Sequence, residues 1–222
     1  MSFGQLPYDV AHVLGGAMLL LSCMLLYQRR VAAVITALAL QGGVLAAAAA
    51  WQGYVQGAPQ LFLTALIALL AKAVLIPLAL RLLVRRFDLD RTVETALGIG
   101  ASMLAGIALV ALAILVVLPV TGGAQAVARE DLALALSVVL LGMLMMITRR
   151  NAILQVVGLM SLENGLILAA VGVAGMPLVV ELSTAALVLV VLVVGAVFLL
   201  MIRGEFASTD TGLVERHRGE AE

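Results

Sequence analysis

The chain has one cysteine, two histidines, one tryptophan and few charges: 12% of its 222 residues are Asp, Glu, Lys or Arg. A lone Cys23 excludes a disulfide framework, and it excludes a thiolate metal site built by this chain alone. Cys23 lies within an apolar run and reads as a small buried hydrophobe. His12 and His217 lie at opposite ends of the sequence, which leaves no histidine pair for a metal. There is no Walker loop and no Gly-x-Gly-x-x-Gly after a strand, so nucleotide chemistry has no foothold. A formal net charge of zero gives no overall basic character to suggest nucleic acid. A basic n-region and an A-x-A site are also missing from the first apolar run, which is therefore expected to stay as a helix.

What remains is apolar. Hydrophobic residues make up 64% of the chain and the mean hydropathy is +1.20, far from the roughly 25% charged composition of a soluble domain. Seven runs are long enough to cross a bilayer as helices, near Tyr8–Tyr27, Val31–Trp51, Leu61–Leu83, Ala96–Val120, Leu132–Ile147, Ile153–Ala174 and Leu178–Ile202. Each is too long and too continuously apolar for a barrel strand. The expected fold is an all-α polytopic transmembrane bundle. Residues 1–93 hold the first three spans, 94–131 a linking fourth span, 132–203 the last three and 204–222 a polar tail.

The arginines set the expected orientation. Arg29 and Arg30 follow the first span, Arg81, Arg85, Arg86 and Arg91 lie at or beyond the end of the third, Arg149 and Arg150 follow the fifth, and Arg203, Arg216 and Arg218 follow the seventh. An odd span count puts all of these on one side, opposite Arg129, Glu130 and Asp131. The positive-inside rule then places the N-terminus outside and the tail in the cytoplasm. The first and fifth spans end alike, in Gln28-Arg29-Arg30 and Thr148-Arg149-Arg150. The helices that follow carry Gln41-Gly42-Gly43 and Glu163-Asn164-Gly165. Four spans separate these copies, the spacing of a parallel repeat.

An ionisable group at bilayer depth is costly unless it meets protein, water or a partner charge. At about 1.5 Å of rise per residue, Gln41, Lys72 and Glu163 fall near the middle of three different spans. Burial favours the neutral forms of lysine and glutamate, and a neighbouring opposite charge opposes that, so such a pair can be tuned to exchange protons. Asn164 and Ser161 can supply hydrogen bonds beside Glu163. Pro77, five residues after Lys72, removes a backbone hydrogen bond and predicts a polar spot or a kink. Glu181 lies about one turn inside the outer boundary of the last span, where a helix-start carboxylate can act as a cap or a relay. Asp9 reads as a cap or a solvent contact. Gly98, Ala101, Ser102 and Ala105 of the fourth span read as helix packing.

The stretch from Arg149-Arg150-Asn151 through Gly158 and Leu162-Glu163-Asn164-Gly165, then Val180-Glu181 and a long aliphatic helix, resembles the hydrogenase-4 component E family, as does Leu70-Ala71-Lys72-Ala73-Val74-Leu75-Ile76-Pro77. The likeness covers nearly the whole chain, and the last three spans are similar to NuoK-type subunits of respiratory complex I and the matching small subunit of Mrp antiporters. The resemblance implies a non-catalytic membrane-arm subunit of an energy-converting hydrogenase or formate hydrogenlyase in a bacterial inner membrane. Nickel–iron and iron–sulfur centres would be carried by partner chains and none by this one. It implies antiporter-like membrane partners, a soluble hydrogenase-like arm, and a proton or sodium path using Glu163, Lys72, Glu181, Gln41 and Asn164. A scaffold subunit without an ion path and a subunit of a stand-alone Mrp-like antiporter are the alternatives. Two departures stand out. The position two residues after Gly158 is Met160, with the acid three residues further on, and no ionisable group lies between Ala185 and Val197.

Overall fold

The computed structural model describes residues 6–86, 97–120 and 126–172, together with the single helical residue Gly195. These segments are all helical: α1 (Leu6–Tyr27), α2 (Val31–Gln56), α3 (Pro59–Ile67), a π-helical segment (Ala68–Leu75), α4 (Ile76–Arg86), α5 (Ile99–Val120), α6 (Ala126–Thr148) and α7 (Ala152–Val171). The α3–π–α4 unit forms one continuous span. Among the described residues, six helices are long and apolar enough to cross a membrane. The expected seventh span, Glu181 and the polar tail lie outside the described residues.

Large apolar side chains cover the outside of the bundle. Leu20, Leu104, Leu115 and Ile147 are each at least 67% exposed, whereas the interior holds Gln41, Lys72, Arg149 and Glu163. A water-soluble domain sorts these residues the other way round. The burial pattern and the span lengths together make the chain a multi-pass membrane helix bundle.

Two helix boundaries differ most from those read in the sequence. α2 runs five residues past Trp51, because polar residues finish its last turn: Gln56 Nε2 donates to the Val171 carbonyl at 3.0 Å. Trp51 itself donates Nε1–H to the Pro7 carbonyl at 2.9 Å, which ties α2 to the start of α1. The helix stops at Gly57, whose φ of 62° lets Gly57 N–H and Ala58 N–H return to the carbonyls of Tyr54 and Gly53. α6 begins at Ala126 rather than Leu132, so Arg129, Glu130 and Asp131 belong to its first turns. Charged residues do not end a helix; they only end the apolar signal.

The packing is led by two parallel hairpins, α1–α2 and α6–α7, with α1 against α6 and α2 against α7. Glycines set the closest approach. A Cβ on Gly142 would lie 2.5 Å from the Leu162 nitrogen, and one on Gly165 2.8 Å from the Val139 nitrogen, so α6 and α7 touch backbone to backbone. α5 packs on the outside of this unit against α6 and α1, through Gly106 beside Leu141 and Leu26.

Arg149 and Arg150 both follow the fifth span in the sequence. Arg150 is exposed, but Arg149 is 2% exposed and its Nη2 donates to the Leu26 carbonyl at 2.6 Å and the Leu25 carbonyl at 3.4 Å. Those carbonyls end α1, where a cation meets the negative pole of the helix. The contact brings the ends of α1 and α6 together. At the opposite end, His12 Nδ1 of α1 lies 3.5 Å from Asp131 Oδ1 of α6. The two helices therefore run the same way.

Candidate functional site

The site is assembled by α1, α2, the π segment and α7. Lys72 sits in the middle of the π segment, the single departure from α geometry within the described spans. In a straight α-helix the ring of Pro77 would clash with the Ala73 carbonyl. The wider π turn moves that carbonyl aside: Ile76 N–H donates to Ala71, five residues back. The disturbance expected near Pro77 takes the form of eight residues of widened helix. α2 presses on this segment at Gly42, where a Cβ would lie 2.7 Å from the Lys72 carbonyl carbon. No side chain larger than hydrogen fits between the two helices there.

Lys72 Nζ lies 2.5 Å from Glu163 Oε1 and donates to Asn164 Oδ1 at 3.0 Å. Asn164 Nδ2 donates to Gln41 Oε1 at 3.2 Å. Gln41 Nε2 donates to Ser22 Oγ at 2.8 Å and to Ser161 Oγ at 3.0 Å, and Ser22 in turn donates to the Met18 carbonyl at 3.0 Å. Every member is buried; Glu163 is 6% exposed and Lys72 3%. Breaking such a pair is expensive, at about 3–5 kcal/mol for removal of one partner, so the network fixes how α2, the π segment and α7 meet. Glu163 is the exception to its polar satisfaction. Oε1 meets the lysine ammonium, and Oε2 has no hydrogen-bond donor among the described residues.

Four of the residues expected from the sequence, Gln41, Lys72, Glu163 and Asn164, thus converge on one site. Ser161 joins them as a hydrogen-bond acceptor for Gln41. Ser22 joins from α1 and was not foreseen; it lies five residues from the end of α1, away from the middle of the span, and a serine there can be satisfied by its own helix. Glu181 falls outside the described residues. Asp9 is exposed, and α5 contributes no side chain to the network. A second polar cluster lies at the far end of the bundle. There His12 faces Glu130 and Asp131, and Asp131 borders a cavity of about 20 Å³ with Gln52 and Gly15.

Gln41 is the hub, so its replacement is informative. Gln41→Leu is expected to strip partners from Asn164, Ser22 and Ser161 and to lower stability by about 1–3 kcal/mol. The thermal midpoint of the detergent-purified protein should fall, whereas Gln52→Leu, outside the network, should leave it nearly unchanged.

Among the described residues, no group of three His, Cys, Asp or Glu side chains is placed to hold a metal ion. A multi-pass membrane helix bundle with a buried lysine–glutamate pair is the class that fold and site define. No protein-family model and no solved structure matches the chain. The chain is 30% identical over 199 residues to the uncharacterized protein Rv0085 of Mycobacterium tuberculosis, over 88% of this chain and 90% of that protein. At that identity and coverage, the chain belongs to the same family as the mycobacterial protein.

Proposed function

We propose that this protein is a membrane-arm subunit that passes protons or sodium ions through the Lys72–Glu163 pair, within a hydrogenase- or complex-I-like assembly. One observation carries the proposal: a buried carboxylate, paired with a lysine, whose Oε2 has no donor from the described chain. A purely structural ion pair gains by satisfying every lone pair. A carboxylate that must take up and release a proton needs one face open. The lysine supplies the opposing charge that resets when the proton leaves. Its seat on a π segment adds support, because such widened turns recur at functional sites.

The likeness of Glu163-Asn164-Gly165 and Lys72-x4-Pro77 to hydrogenase-4 component E supports the same reading and supplies the setting: antiporter-like neighbours in a bacterial inner membrane and a soluble arm with the nickel–iron and iron–sulfur centres. Seven spans, with the arginine-rich end cytoplasmic and the N-terminus outside, complete it. The clustering of Arg30, Arg81 and Arg85 around one groove fits that orientation.

A scaffold reading is favoured by the direct closure of the lysine–glutamate pair and by the saturated hydrogen bonding of Gln41. In that case the pair only fastens helices. Affinity purification from native membranes, with metal analysis and mass spectrometry of the partners, tests the setting. Nickel, iron and redox chains co-purifying is the expected result. Recovery of membrane chains alone would instead make the protein part of a stand-alone cation/proton antiporter.

A further inference from the structure

At the arginine-rich end, α2 and α4 diverge and leave a groove of about 650 Å³. Three guanidinium groups border it: Arg30 from the α1–α2 connection, and Arg81 and Arg85 one turn apart on α4. Among the described residues none of them pairs with a carboxylate. Arg81 is held in place, its Nη2 donating to Thr36 Oγ1 at 3.0 Å while Thr36 donates onward to the Ala32 carbonyl at 2.8 Å. The remaining guanidinium donors of Arg81 are left for another acceptor.

The first turn of α2 opens into the same groove. Val31 and Ala32 line it, and the N-cap, Arg30, makes no side-chain cap bond. The Arg30 carbonyl serves Ala33 and Val34, which leaves the first two amides of a 26-residue helix without a carbonyl in the helix ladder. Unfilled amides and the positive pole of the helix favour an anion. Three cations bordering one groove repel one another unless a negative group joins them.

The shape of the groove decides which anion. Ile35 and Val84 give it apolar walls. One turn deeper than Thr36 and Arg81, on the same helix faces, lie Leu40 on α2 and Leu78 on α4, each at least 50% exposed. A free phosphate would fill a small part of that volume and ignore the apolar walls. A phosphate carrying acyl chains uses both.

We propose that this groove binds the phosphate headgroup of an anionic phospholipid, with Arg30, Arg81, Arg85 and the α2 N-terminus on the phosphate and the acyl chains along Leu40 and Leu78. Basic pockets between spans on the cytoplasmic side suit such headgroups. The site is separate from the Lys72–Glu163 pair and stands or falls independently of ion transport. It depends only on the chain being membrane-embedded.

The test is native mass spectrometry of the full chain in detergent, titrated with phosphatidylglycerol, phosphatidylcholine or inorganic phosphate. Retained phosphatidylglycerol with little phosphatidylcholine is the expected result, with preference falling roughly fivefold for each arginine removed in Arg81→Gln and Arg85→Gln. Arg150→Gln, an exposed arginine that does not line the groove, should leave the preference in place. Each variant is first checked for the wild-type elution volume, and Arg85→Gln alone serves if the double change misfolds. An unchanged preference in the groove variants, or an equal loss in Arg150→Gln, overturns the site. Competition by millimolar inorganic phosphate as effective as by lipid overturns the lipid assignment.

Discussion

Glu163→Gln is expected to reduce ion transport coupled to the assembly by about a hundredfold or more, the scale on which a positioned proton-transferring group contributes. The same change leaves Lys72 buried beside a neutral amide. That amide oxygen can still accept from the ammonium, as Asn164 Oδ1 does at 3.0 Å, but neither supplies the opposing charge. Removal of one partner from a buried pair costs about 3–5 kcal/mol, so Glu163→Gln and Lys72→Met should each also reduce the yield of intact complex. Loss of transport in a single variant therefore proves little. The double change Lys72→Met/Glu163→Gln separates the readings, because it removes both charges and replaces them with neutral groups of similar size. Stability and assembly should return to near wild type, since such replacements are often neutral. Transport should not return if the pair carries ions. Proton uptake by membrane vesicles holding the assembled complex, followed with a pH-sensitive dye, is the readout. Full transport in a well-assembled double variant would leave the pair a fastening between helices.

The site residues could be read from the sequence because depth is a matter of counting. Polar residues are scarce in these spans, and a constant rise per residue puts Gln41, Lys72 and Glu163 at one level wherever the helices stand. Their partners could not be counted in the same way. Ser22 lies five residues from the end of α1 rather than at its middle, and a serine there is satisfied by its own helix; Ser22 does bond the Met18 carbonyl as well as accept from Gln41. Arg149 and Arg150 are identical in composition and adjacent in sequence, yet one caps α1 from inside the bundle and the other faces out. Only the packing of α1 against α6 distinguishes them. The π segment was hidden for a different reason. A helix with one extra residue per turn keeps the same apolar composition, and Pro77 announced a disturbance without saying whether the chain would kink or widen.

That widened turn makes Gly42 the second sensitive position. Gly42→Ala is expected to lower stability by about 1–3 kcal/mol, as overpacking does, and to displace Lys72 from Glu163. The added Cβ would lie 2.7 Å from the Lys72 carbonyl carbon, 2.8 Å from the Ala73 nitrogen and 2.9 Å from the Lys72 carbonyl oxygen. All three are backbone atoms, so no rotamer change relieves the contact and the π segment itself must move. The adjacent Gly43 provides the control, because a Cβ there meets nothing within 4 Å. Alanine is the better helix former by roughly 1 kcal/mol in either place, so Gly43→Ala should be neutral or mildly stabilising. Thermal unfolding of the two purified variants side by side gives the comparison, with vesicle proton uptake as the second measurement. Equal behaviour of Gly42→Ala and Gly43→Ala would mean that α2 does not hold the lysine-bearing turn. A melting point lowered at Gly42 alone, with transport lowered in step, ties the Gln41-Gly42-Gly43 motif to the placement of the charge pair: the glutamine binds α7 through its amide, and the first glycine lets the π turn come close enough to reach it.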